Sequence, residues 1–187
     1  GWELFGPERL VTRAKGPTLY ELDGRPALDL YKHYLGAHAA GLPATGMLFP
    51  LSIRTGTAGE DRLVRGVLAV DEGERSLTFG GDVPQGAAAQ LMRASADRLV
   101  QGASQAGYQG RAPRASGPLL AVAVSCIGRR MLLGERTEEE LEATLEALPP
   151  AARQVGFYSY GEIAPLADGR CDLHNQTMSL TTIGEAA

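Results

Sequence analysis

Leu119-Leu120-Ala121-Val122-Ala123-Val124, followed at once by Ser125-Cys126-Ile127-Gly128-Arg129-Arg130, is the stretch from which the fold can be read. The apolar run carries no polar alternation, the pattern of a strand covered on both faces at the centre of a sheet. The residues after it enter a short helix. Downstream, Thr137 with Glu140 has the spacing of a capping box, Leu141, Leu145 and Leu148 form the apolar seam of its helix, and Pro149-Pro150 stops it. Gln154-Val155-Gly156-Phe157-Tyr158 then reads as a short strand. Residues 177–183, with Met178, Leu180 and Thr182 alternating, read as a closing one after a polar loop.

Working upstream, residues 109–117 have the Gly, Pro, Ser and Arg content of an exposed connection. Before it, Asp82 with Gln85 resembles a second capping box, with Pro84 early in the helix. Ala88, Leu91, Met92, Ser95, Leu99, Gly102, Ala103 and Ala106 keep a helical stripe that predicts the longest helix of the chain. The first third reads as hairpins. Residues 9–13 and 18–22 alternate around Lys15-Gly16-Pro17, and Asp23-Gly24 makes a turn. Pro26 suits a first helical turn, and Ala27, Leu30, Tyr31, Tyr34 and Leu35 share a helical face before Gly36. Residues 37–46 read as a loop and 48–53 as a strand. The apolar run 63–70, the turn Asp71-Glu72-Gly73-Glu74 and the return Ser76-Leu77-Thr78-Phe79 read as a second hairpin. The expectation is one α+β domain over residues 1–187, a mixed, largely antiparallel β-sheet with helices packed on the outer face.

Composition removes several classes. With 187 residues, 44% hydrophobic and 21% charged, the chain has the make-up of an ordinary globular protein. A net charge of -4, spread along the sequence, gives no reason to approach nucleic acid. No apolar run is long enough to span a bilayer, and Gly1-Trp2-Glu3-Leu4 lacks the parts of a signal peptide, so a cytoplasmic protein without a membrane partner is expected. The chain opens without methionine, which suggests a piece of something larger. Two cysteines, Cys126 and Cys171, are too few for a disulfide framework or a cysteine-rich metal site. No P-loop, Rossmann fingerprint, Gly-x-Ser-x-Gly elbow or metal-spaced Cys/His cluster occurs, which lowers the familiar enzyme classes.

Three blocks carry the chemistry. At Ser125-Cys126-Ile127-Gly128-Arg129, a strand end feeding a helix start can take an anion, and the planar fork of Arg129 matches a carboxylate; alternatively Arg129 pairs with Glu162 or a helix carboxylate and locks the fold. Cys126 is either a nucleophile with a lowered pKa or a small buried thiol. In Gly156-Phe157-Tyr158-Ser159-Tyr160-Gly161-Glu162-Ile163, glycines admit a ligand to the backbone. Tyr158 and Tyr160 offer an apolar wall with a polar tip, and Glu162 can read an ammonium; the plainer alternative packs the tyrosines on the core. In His174-Asn175-Gln176-Thr177, Asn175 and Thr177 would alternate to one face of a strand and His174 and Gln176 to the other, offering hydrogen bonds from either, or only turn chemistry. His174 could also ligate a haem iron.

Taken in order, these three blocks resemble the C-terminal part of the FIST family of sensory domains. The run Tyr20-Glu21-Leu22-Asp23-Gly24-Arg25-Pro26-Ala27, leading to Tyr31 and Leu35-Gly36, is similar to the segment joining that family's two halves, so residues 1–36 resemble the join. The resemblance implies a small-ligand sensor without catalysis of its own, in intracellular signal transduction. Its implied ligand is an amino acid or similar metabolite held by Ser125, Cys126, Arg129, Tyr158, Tyr160, Glu162, Asn175 and Thr177, with no cofactor. Haem and nitric oxide sensing through His174 is the alternative, and an enzyme using Cys126 the third. The partners implied are a small molecule and a signalling output protein or an upstream half that this chain lacks, with a second copy of the chain as a further alternative.

Overall fold

The computed structural model describes residues 1–54, 62–111, 115–165 and 169–186. In chain order these form β1 (Glu3–Lys15), β2 (Thr18–Leu22), β3 (Arg25–Pro26), α1 (Ala27–Leu35), β4 (Leu51–Arg54), β5 (Arg62–Arg65), β6 (Val67–Asp71), β7 (Ser76–Phe79) and β8 (Ala88–Arg93). There follow α2 (Ala96–Gln109), β9 (Ala115–Cys126), α3 (Ile127–Leu133), α4 (Thr137–Glu146), β10 (Ala152–Ser159), β11 (Glu162–Pro165), β12 (Cys171–His174) and β13 (Met178–Ala186). The class is α+β, as the sequence suggests. The chain divides into two compact units, one made of Glu3–Arg93 and Ile163–Asn175, the other of Gly1–Trp2, Ala94–Glu162 and Gln176–Ala187.

The first unit is built on an eight-stranded antiparallel sheet in the order β5-β4-β8-β1-β2-β7-β6, with β3 on β2. The long strand β1 changes partner along its length, pairing with β8 through Glu3 to Leu10 and with β2 through Val11 to Lys15. The expected hairpins β1–β2 and β6–β7 are present. The apolar run 63–70 is broken at Gly66 into β5, paired with β4, and β6, paired with β7. Helix α1 forms where its stripe predicts, buries Ala27, Leu28, Leu30, Tyr31 and Leu35, and ends at Gly36, whose φ of 56° suits a residue without Cβ. Residues 37–46, expected as a loop, wind mostly into two 3₁₀ turns, Gly36–Gly41 and Ala44–Leu48.

The helix expected from the Asp82 capping box does not begin there. Residues 88–93 are a strand, β8, between β4 and β1, and the longest helix starts only at Ala96, where the Ser95 side chain caps it by accepting from Arg98 N. The spacing of Ala88, Leu91 and Met92 fits a helix, but Leu91 lies opposite both Leu51 and Phe5, and these long-range pairs decide.

The second unit carries a three-stranded mixed sheet, β10-β9-β13, with β10 parallel and β13 antiparallel to β9. Strand β9 is central, as expected, but it is not covered on both faces. Leu119, Ala121, Ala123 and Ser125 are buried, whereas Leu120 is exposed and Val122 and Val124 are half-buried. The connection expected over 109–117 ends at Ala115, where β9 begins, and residues 112–114 lie outside the described residues. Helix α4 occupies its expected place, but of the expected seam only Leu148, just past the helix end, is buried; Leu141 and Leu145 are exposed, and Glu140, Thr144 and Ala147 face inward. Its Glu140 is no capping-box partner, because no side-chain cap bond is made at Arg136 and the carboxylate turns into the core.

Candidate functional site

The polar centre of the second unit is Glu140, fully buried on α4. Ser125 Oγ, at the end of β9, donates to Glu140 Oε1 at 2.6 Å, and Arg129 Nε, from α3, donates to the same oxygen at 3.2 Å. Arg129 Nη2 also donates to the carbonyl of Leu99 on α2 at 2.9 Å, so one guanidinium ties three helices together. Arg129 is thus held by a helix carboxylate, the fold-locking alternative, and the partner is Glu140, not Glu162. Glu140 Oε2 has no hydrogen-bond partner among the described residues. For a buried charged oxygen that is costly unless something else approaches it.

Beside this centre lies a cavity of about 190 Å³, lined by Ala123, Ser125, Leu141, Gln154, Val155, Gly156, Phe157, Tyr158 and Met178. Strand register places Tyr158, Ser125 and Met178 in one row across the sheet and Gly156 beside Ala123 in the next. Two residues with little or no side chain therefore leave the floor low. Tyr158 Oη and Gln154 Oε1 are both buried without a hydrogen-bond partner among the described residues. The guanidinium of Arg130 lies over the Tyr158 ring, 5.0 Å from its centre. Burial, with the nearby Glu140 carboxylate adding to it, raises the Tyr158 phenol above its ordinary pKa, so the hydroxyl keeps its proton at neutral pH.

A second cluster in the same unit is closed on itself. The Glu162 carboxylate accepts from Ser159 Oγ on one oxygen, and from Thr177 Oγ1 at 2.8 Å and Thr177 N at 3.3 Å on the other. Cys126 N donates to the carbonyl of Thr177 at 3.0 Å. Burial is the main force raising the Cys126 thiol pKa, and Glu162 adds to it against the lowering effect of backbone donors at Gly128 and Gln176. That is the reverse of nucleophile activation. Alkylation of the native protein at neutral pH is therefore expected to modify the exposed Cys171 and leave the buried Cys126 intact until the chain is unfolded. Peptide mapping after iodoacetamide treatment checks this.

The remaining predicted residues are dispersed. Tyr160 is 88% exposed. Asn175 belongs to the other unit, where its side chain accepts from Gly66 N at 3.2 Å and donates to the carbonyl of Gly80 at 3.4 Å, clasping two backbone turns. Residues 174–177 do not form the start of the last strand. His174 ends β12, Gln176 has a φ of 60°, and β13 begins at Met178, so the alternation expected of that block is not realised. His174 is buried in the first unit and borders neither the cavity above nor the shallow one at Leu42, Met47 and Leu68. Among the described residues no three His, Cys, Asp or Glu side chains are grouped to hold a metal ion, and no helix is long and apolar enough to cross a membrane.

Ser125, Arg129 and Tyr158 are thus the predicted residues gathered around Glu140 and the cavity, Cys126, Glu162 and Thr177 form a separate group, and Glu140, Gln154 and Leu141 are the ones sequence reasoning missed. A signal for Glu140 was available: with Thr144, Ala147 and Leu148 it makes an i, i+4, i+7, i+8 face whose two small members, Thr144 and Ala147, lie against Gly107 of α2. Comparison with known proteins gives one result. A family model described as the FIST C domain matches residues 27–165, while no curated protein and no solved structure matches the chain.

Proposed function

The chain belongs to the FIST C domain family, a sensory domain family usually tied to signal transduction, and on that footing we propose that it is a cytoplasmic sensor whose cavity between β10 and α4 binds a small polar metabolite of amino-acid size. The observation that supports this is the cavity itself: a hollow of about 190 Å³ on a sheet face, with buried polar atoms at its lining that have no partner among the described residues. At roughly 30 Å³ per water, the space equals about six waters, enough for an amino acid and too small for a nucleotide. No activated nucleophile lines it, so binding rather than turnover is the event to be transmitted to an output protein. Ser125 and Tyr158 remain in the ligand-binding set, Arg129 acts on the ligand only through Glu140, and Gln154 joins them. Cys126, Glu162 and Thr177 hold the adjoining loop.

Calorimetric titration of the full chain with the common amino acids tests the reading, with native mass spectrometry to find a co-purifying ligand. Leu141→Trp supplies the control. Leu141 is an exposed residue at the cavity rim, so an indole there is expected to block the cavity and weaken binding at least tenfold while stability stays within about 0.5 kcal/mol of the parent. Binding unaffected by that substitution would move the site elsewhere. No heat and no shift in melting temperature with any candidate would refute the sensing site.

A further inference from the structure

The unmatched atoms around the cavity are not of random type. Gln154 Oε1 and Glu140 Oε2 are acceptors, and the Tyr158 hydroxyl, which has no partner among the described residues, accepts or donates. Ser125, a residue of the lining, spends its Oγ proton on Glu140 Oε1 and so can only accept from anything else. Acceptors outnumber donors among these unmatched groups, the Tyr158 hydroxyl being the one that can also donate. A neutral ligand rich in carbonyl oxygen could use only the Tyr158 hydroxyl and would leave the Gln154 and Glu140 oxygens unpaired, whereas an ammonium group brings three donors and a positive charge. The charge has its counterpart in Glu140, which lies behind Ser125 and outside the cavity lining; Arg129 and Ser125 hold its first oxygen, and its second is unused by either. Across the cavity Leu141, Met178 and Ala123 present carbon, suited to a short apolar body.

We infer that this cavity recognises the protonated amine of its ligand, with Gln154 Oε1 and Tyr158 Oη as hydrogen-bond acceptors and the Glu140 carboxylate as the countercharge. The inference rests on the proposed sensing role of the cavity and adds to it the ligand class: a small primary amine with an apolar body, whether or not it also bears a carboxylate. The carboxylate expected to read an ammonium was Glu162. That group is occupied by Ser159 and Thr177, and Glu140 takes its place.

The test is a matched probe series on the full chain: L-valine, isobutylamine, which keeps the amine and loses the carboxylate, and 2-hydroxyisovalerate, which replaces the amine by a hydroxyl. Affinity is measured by calorimetry, and the site is followed by the methyl resonance of Met178. The expected result is binding of one or both amines, at least tenfold weaker binding of the hydroxy acid, and a further loss of tenfold or more with Tyr158→Phe or Gln154→Leu. Both are small changes beside the buried ion pair, so the result does not depend on a Glu140 variant that folds poorly. Equal binding of hydroxy acid and amine, with Met178 shifting, overturns the amine assignment while leaving the sensing cavity standing. Amine binding that ignores both substitutions overturns the residue assignment. If no probe of either kind moves Met178 while other amino acids in the wider panel do, the amine inference is upheld only if their hydroxy analogues fail to bind, and overturned if those analogues bind equally. Silence from every amine and hydroxy acid overturns the inference and the sensing cavity together.

Discussion

Arg129→Met is expected to cost about 3 to 5 kcal/mol of stability, the usual penalty for removing one partner of a buried ion pair. Arg129 is 2% exposed and Glu140 wholly buried, so water cannot take the place of the lost guanidinium. The carboxylate would be left with Ser125 alone, its second oxygen being unpartnered already. The carbonyl of Leu99 on α2 would lose its donor as well. Removing both charges is a different experiment. In Arg129→Met/Glu140→Leu no isolated charge remains, and most of the loss should be recovered, because a buried pair exchanged for apolar side chains of like volume is often neutral or better. Urea unfolding of the two single variants and the double one gives the coupling as the departure from additivity. A cost below about 1 kcal/mol for Arg129→Met would mean that the pair is hydrated in solution. The same set separates structure from sensing: the double variant, folded but without the Glu140 carboxylate, should bind amine probes poorly.

What sequence reading could reach here depends on how local the deciding interactions are. Helix α1 and the hairpins β1–β2 and β6–β7 are set by neighbours within a few residues, by Gly36 at a helix end and by turns at Gly16 and Gly73, and these were legible. Strand β8 was misread because its partners, Leu51 and Phe5, are distant in the chain and its apolar spacing fits either period. In α4 two stripes compete. Leu141 and Leu145 look like the core-facing seam, yet the inward face is the one with Glu140 and Thr144, because Ser125 and Arg129 hold one oxygen of the carboxylate and the small residues let α2 approach. Gly107 on α2 marks that approach: a Cβ there would lie 2.6 Å from the carbonyl oxygen of Thr144. The candidate site was half legible for the same reason. Its residues Ser125, Arg129 and Tyr158 fall in recognisable blocks, whereas Glu140 was disguised by the spacing of a capping box and Gln154 by an unremarkable strand.

Gly156→Ala should be the most damaging single methyl in the second unit. A Cβ built on Gly156 lies 2.2 Å from the carbonyl oxygen of Ala123 and 3.2 Å from the Ala123 Cβ, and the nearest of these is backbone of the central strand. No rotamer change relieves such a contact, so β10 must move away from β9 where Gly156 pairs with Ala123. Overpacking of this kind costs about 1 to 3 kcal/mol, and a clash with main chain belongs at the upper end. The glycine was read from sequence as a place where backbone approaches a ligand; its neighbour is instead the adjacent strand. Function should suffer beyond stability, because Gly156 and Ala123 floor the cavity and parting them displaces Tyr158 and Gln154 on the same strand. The separation of these effects is measurable. Ala123→Gly removes the Cβ contact but leaves the carbonyl in place, so combining it with Gly156→Ala should restore little stability if the backbone oxygen is the obstacle. Substantial rescue by Ala123→Gly would mean that the side chain, rather than the strand itself, sets the limit on β10.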